Sequence, residues 1–137
     1  MKTSHDTADN ARAALLLMAH GSRNTEANAD LFHVAEQIKA RGEYSIVQAS
    51  FLELADPDIE RGGQMCVEQG AAHVLMLPYF LSAGVHVRSD LTEIRNNLAS
   101  QFSEVSFVLG KPLGRHPLLI DVLMERAREA QKTDSQR

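Results

Sequence analysis

The stretch Ala13-Ala14-Leu15-Leu16-Leu17-Met18-Ala19-His20-Gly21-Ser22-Arg23 decides the fold. Seven apolar residues run without interruption and stop at a His-Gly turn. The run is about a third of the ~20 residues a membrane-spanning helix needs. Its length and continuity are those of a β-strand buried on both faces. Three more runs read the same way: Ile46-Val47-Gln48-Ala49-Ser50-Phe51, Val74-Leu75-Met76-Leu77 and Val105-Ser106-Phe107-Val108-Leu109.

A helix-period segment follows each run. In the first, Ala27, Leu31, Val34 or Ala35, and Ile38 recur at three- and four-residue steps, leaving Glu26, Asp30, Glu36 and Lys39 toward water. The second is bounded by Asp56-Pro57, read as an N-cap with proline at the first helical position, and by Gly70 at its C-terminal end. Val87, Leu91, Ile94 and Leu98 stripe the third, and the fourth runs from His116-Pro117 through Leu119 and Val122 or Leu123 to Ala130. Strands alternating with helices over so short a chain imply right-handed crossovers. The fold class is therefore α/β: a single-domain three-layer sandwich, with a four-stranded, mainly parallel sheet and helices on both faces. Residues 13–130 form the domain, and the polar stretches 1–12 and 131–137 read as tails.

Composition narrows the function. The 137 residues are 44% hydrophobic and 23% charged, with 8 Gly and 4 Pro, the balance of one folded domain. Such a chain buries enough surface to hold a core without disulfides or a structural metal. Net charge is -4, from 14 Lys+Arg against 18 Asp+Glu, with no long run of like charge, which argues against duplex nucleic acid as a partner. The single cysteine, Cys66, closes no intrachain disulfide and belongs to no CxxC motif. No signal peptide or membrane span is evident, and the expected location is the cytoplasm.

In open α/β sheets ligands bind beyond the carboxyl ends of the strands. This sorts the six histidines. His20 follows the first strand, His86 follows the third and His116 lies a loop beyond the fourth. His73 belongs to the opposite rim, His33 to a helix and His5 to the N-terminal stretch. Glu53, in Phe51-Leu52-Glu53-Leu54-Ala55-Asp56-Pro57, joins His20 and His86 on the working rim. Two imidazoles and a carboxylate suit a borderline divalent metal such as Co, Fe, Ni or Zn, and equally suit proton acceptance near neutral pH. Gly21 and Gly84, beside the two histidines, read as places where the backbone approaches a bound group. Neither glycine belongs to GxxxxGK[ST] or GxGxxG, so a phosphate loop is disfavoured. A phosphohistidine mechanism wants arginine just before the histidine, where this chain has Ala19. No GxSxG elbow is present, and Cys66 falls within a helix.

The Ala19–Arg23 turn, the Phe51–Pro57 segment and Leu77-Pro78-Tyr79-Phe80-Leu81-Ser82-Ala83-Gly84-Val85-His86-Val87-Arg88-Ser89-Asp90-Leu91 together resemble the sirohydrochlorin chelatases. The likeness is nearest to the short form of the cobaltochelatase, about half the length of two-lobed members. It implies insertion of Co2+, Fe2+ or Ni2+ into a tetrapyrrole, in cobalamin or sirohaem synthesis, with no nucleotide consumed and no permanently bound cofactor. His20 and His86 are then the metal-binding and catalytic positions and Glu53 a third catalytic one. Because sirohydrochlorin carries many carboxylates, Arg23 and Arg88, which flank the motif residues, are the expected substrate contacts. Lys111 and Arg115 are more distant cations on the rim. Ser22 and Gly84 complete the contact set, with helix capping the alternative for Ser22 and Ser89. A single lobe supplies half a cleft, which implies a homodimer. A carrier that binds metal or tetrapyrrole without turnover is the alternative reading of the same rim.

Overall fold

Successive side chains of a strand point to opposite faces, which explains why the first apolar run has no polar alternation. Ala14, Leu16 and Met18 enter one apolar cluster, while Leu15 and Leu17 enter another. The computed structural model of the chain describes residues 12–135. It sets this run as strand β1 (Ala13–Ala19) in the middle of a sheet with β2 (Ile46–Phe51), β3 (His73–Pro78) and β4 (Ser106–Leu109), in the order β2-β1-β3-β4. All three pairings are parallel, with Ala19 level with Phe51 and Met18 level with Pro78. The helices are α1 (Thr25–Ala40), α2 (Ile59–Glu68), α3 (Val85–Gln101) and α4 (Pro117–Ser135).

Helix α1 lies on β1 and β2 on one face, burying Leu31 and Ala35. Helices α2 and α3 share the other face, where Ile59, Cys66, Leu91 and Leu98 meet Leu16, Val74, Met76 and Phe107. Gly62 and Gly63 let α2 approach closely: a Cβ on Gly62 would stand 2.8 Å from Ser50 Cβ, and one on Gly63 would stand 2.6 Å from a Leu98 methyl. Helix α4 packs against no strand and no other helix, and none of its described side chains is buried.

Three sequence-based expectations change. Helix α2 starts at Ile59 under the cap of Asp58, whose carboxylate accepts from Arg61 N–H at 2.8 Å, and not at the Asp56-Pro57 pair. The Pro57 carbonyl is already engaged, accepting from Phe51 N–H at 2.9 Å, so this segment runs beside the end of β2 instead of coiling. The stretch from 131 is helical through Ser135. Ala27 is exposed, so the buried stripe of α1 begins at Leu31. Of the N-terminal stretch only Arg12 lies among the described residues. Its carbonyl accepts from Ala72 N–H at 2.8 Å, which ties it to the start of β3.

Candidate functional site

Parallel strands place every following loop at one rim, and hydrogen bonds beyond the strand ends tie those loops together. Leu52 N–H donates to the Ala19 carbonyl at 2.9 Å and Glu53 N–H to the His20 carbonyl at 3.0 Å, so the β1 and β2 ladder continues into both loops. Tyr79 N–H donates to Met18 O at 2.7 Å and Leu113 N–H to Phe80 O at 3.0 Å, fastening the loops after β3 and β4.

His20 and Glu53 are thus backbone neighbours, and Gly21 keeps them so. Its φ is +91°, a region L-residues avoid, and a Cβ there would run into the Glu53 carbonyl oxygen. The next turn carries its own strain, since Leu54, directly after Glu53, has φ +64°. The His20 imidazole leans on Phe80, with ring centroids 5.0 Å apart and planes tilted by 40°. Phe80 is itself packed against the core, so it holds the imidazole from the β3 side.

His20 and Glu53 line one 470 Å³ cavity together with Leu52, Val87, Asp90, Glu93 and Ile94. Asp90 and Glu93 are absent from the sequence-based set, although a signal was available. Positions 86, 90 and 93 are spaced i, i+4, i+7 and share one face of α3. His86 stands on the exposed first turn of that face and does not line the His20 cavity. Among the described residues no three His, Cys, Asp or Glu side chains converge closely enough to hold a metal ion. The arrangement is an open rim on which His20 shares a cavity lining with Glu53, Asp90 and Glu93, and His86 precedes Asp90 by one turn of α3.

The remaining candidates are dispersed. Arg88 opens into a neighbouring 550 Å³ cavity that shares Glu93 and includes Ser89, Thr92 and Asn96. Ser22 and Arg23 line a third cavity with Asn28 and Asp56. Ser22 does not cap α1. That role belongs to Asn24, whose side chain accepts from Glu26 N–H at 2.9 Å. Ser22 is instead clamped by Asn28, which accepts from Ser22 N–H at 2.9 Å and donates to Ser22 O at 2.7 Å. Gly84 is the N-cap of α3 with φ -70°, and a Cβ there would meet nothing within 4 Å. No contact within the chain itself requires glycine at position 84. Lys111, Arg115 and His116 lie apart, around the start of α4. Cys66 lies in α2 beneath the sheet, and burial pushes its thiol up to about 12. That leaves it without nucleophilic character.

The chain is similar to known proteins. The chloroplastic sirohydrochlorin ferrochelatase of Arabidopsis thaliana is 37% identical over 112 residues, covering 82% of this chain and 50% of the relative. The sirohydrochlorin cobaltochelatase of Sulfolobus acidocaldarius is 29% identical over 116 residues, covering 85% of this chain and 90% of the relative. Among solved structures, the sirohydrochlorin chelatase SirB from Bacillus subtilis subspecies spizizenii in complex with cobalt superposes with a TM-score of 0.79 at 31% identity. The match takes in 86% of this chain and 50% of that one. This chain therefore spans about half the length of the plant relative and of SirB. The family model described as CbiX matches residues 14–130, from β1 through most of α4 and across the whole rim, and the chain belongs to that family.

Proposed function

We propose that the protein is a sirohydrochlorin chelatase that inserts a divalent metal into the tetrapyrrole without consuming a nucleotide, with Co2+ the first choice and Fe2+ or Ni2+ the alternatives. The observation that carries this reading is the cavity in which His20 stands with Glu53, Asp90 and Glu93 at the carboxyl rim of the sheet. Relatives named as sirohydrochlorin ferrochelatase and cobaltochelatase support it. No helix among the described residues is long and apolar enough to cross a bilayer. The lone, buried Cys66 suits a reducing cytoplasm.

Metal insertion has two requirements: the hydrated cation must shed water while it gains nitrogen ligands, and the macrocycle must lose two N–H protons. The rim separates groups suited to each. The carboxylates of Glu53, Asp90 and Glu93, which line the cavity with His20, attract the cation, and the imidazole replaces one of its waters. His86, on the exposed first turn of α3 and close in sequence to Arg88, meets the macrocycle and takes up pyrrole protons. Each proton leaving nitrogen passes to the imidazole and then to solvent, and the nitrogen lone pair so released binds the metal. Arg88, in the cavity that shares Glu93 with that of His20, and Arg23, in the cavity with Ser22, pair with peripheral carboxylates of the substrate. The opposite wall of the cleft is a second copy of the rim.

The test is anaerobic incubation with sirohydrochlorin and Co2+, Fe2+ or Ni2+ in turn, following macrocycle absorbance. Wild-type rates should exceed the metal-only control over many turnovers, His20→Ala should raise the KM for metal, and His86→Ala should lower kcat. A single stoichiometric signal would show a carrier, and no acceleration with any metal would overturn the chelatase reading.

A further inference from the structure

The His20 imidazole is exposed, and among the described residues no side-chain hydrogen bond or ion pair fixes it. An unrestrained side chain of this kind hops between staggered rotamers, and a metal ligand has to be held in one of them. The restraint present is the Phe80 ring, 5.0 Å away between centroids. At that spacing aromatic rings attract one another. The direction of the imidazole therefore depends on where Phe80 stands, and Phe80 belongs to the irregular segment between β3 and α3.

Two backbone hydrogen bonds and one close approach hold that segment. Tyr79 N–H donates to Met18 O at 2.7 Å, which ties it to β1. Leu113 N–H, in the loop between β4 and α4, donates to Phe80 O at 3.0 Å from the other side. Gly114 lies over the next peptide: a Cβ there would run into the Leu81 carbonyl oxygen, with the carbonyl carbon 3.1 Å away. Arg115 follows at φ +64°, a left-handed backbone that a residue with a long side chain keeps only where surrounding contacts require it. The glycine and the strained turn both seat this loop on the Phe80–Leu81 backbone. Neither Phe80 nor Gly114 lines the His20 cavity, so the cavity itself does not account for them.

We propose that the loop between β4 and α4 is a positioning element for His20: Leu113 and Gly114 set the Phe80–Leu81 backbone, and the Phe80 ring passes that placement to the imidazole. This deepens the chelatase reading and rests on it for the metal, since His20 is there the group that replaces a water on the cation. Phe80 and Gly114 act through His20. A ring already held in place loses less freedom when it takes the cation, so the loop raises metal affinity.

Imidazole NMR and Co2+ titration of the whole chain test this. The Cε1–H resonance of His20, assigned by its loss in His20→Ala, is displaced by the neighbouring ring. Phe80→Leu keeps an apolar side chain and removes the ring, and should return that resonance toward the position of a free histidine. Gly114→Ala, in a different loop, should move it too, whereas Gly42→Ala, with nothing near its Cβ, should leave it in place. Leu113→Pro, which removes the N–H donor to Phe80, replaces Gly114→Ala if that variant does not fold by circular dichroism. Co2+ titrated without tetrapyrrole should bind about three- to tenfold more weakly to Phe80→Leu and Gly114→Ala, the factor that one aromatic pair supports. In turnover the KM for metal should rise by that factor while kcat changes less. A His20 resonance that the loop variants leave unmoved overturns the proposal, as does wild-type Co2+ affinity in Phe80→Leu. A wild type that takes no Co2+ counts against the chelatase reading alone, and the resonance then decides the positioning.

Discussion

Replacing Gly21 by alanine is expected to damage fold and site together, by an amount the geometry sets. At φ +91° an L-residue carries a cost of roughly 1–2 kcal/mol. The new methyl group also meets the Glu53 carbonyl, and Phe51 Cβ stands 3.3 Å away. Relief requires the two loops to part, which sacrifices the bonds from Leu52 N–H to Ala19 O and from Glu53 N–H to His20 O. Each is worth about 1 kcal/mol net, giving a total near 3–4 kcal/mol and a melting temperature lower by roughly 10 °C. Gly42→Ala is the internal control. Its φ is +81° and a Cβ there meets nothing, so it isolates the backbone cost and should lose only about 1–2 kcal/mol. Urea unfolding of both variants, read as midpoint shifts at unchanged slope, supplies the comparison. Equal losses in the two would refute the claim that Gly21 is required by the approach of Glu53. In Gly21→Ala the proposed metal-insertion activity should fall further than the folded fraction explains, because His20 and Glu53 no longer share one ladder.

Gly84→Ser should be harmless or stabilise by a few tenths of a kcal/mol, since the site is an extended N-cap with open space around it and no side-chain cap. A loss above about 1 kcal/mol in thermal melts would contradict that geometry. Ser50→Ala should cost about 1 kcal/mol, because the fully buried hydroxyl donates to Leu17 O at 2.8 Å and ties β2 to β1. Denaturant titration reads that loss, and an unchanged midpoint would mean the bond adds nothing. For Cys66 the folded thiol titrates at about 12 against an ordinary value of 9.0, so the native state holds its proton longer than the unfolded chain does. The stability this confers is complete below pH 9 and is lost as pH rises toward 12. That part of the alkaline slope should vanish in Cys66→Ala, and a disulfide reagent at pH 8 should label wild type only on unfolding.

The sheet and the placing of His20 beside Glu53 in the candidate site were readable because both rest on adjacency in one strand pair. Ala19 is level with Phe51, so whatever follows β1 faces whatever follows β2, and His20 beside Glu53 is a consequence of two apolar runs ending. Gly21 announced itself by standing in that crossing. Gly84 looked identical as a letter, yet what distinguishes the two is φ and a neighbouring carbonyl, quantities that belong to the folded loop. Asp56 and Asp58 posed a similar choice, decided by Pro57 O pairing with Phe51 N–H across the end of β2. Asp90 and Glu93 escaped notice for a different reason: acidic residues on an amphipathic helix ordinarily face water, and only the loop carrying His20 turns that face into a cavity wall.

Helix α4 marks the limit of periodicity as evidence. Its stripe of Leu119, Leu123, Ala127 and Ala130 is as regular as that of α3, where Leu91 and Leu98 are buried. A hydrophobic period states that a face is to be covered, and it carries no information about which molecule supplies the cover. Topology supplies what the period omits. Helix α1 leaves β3 and β4 bare on one face, and among the described residues α4 packs on no strand and no other helix.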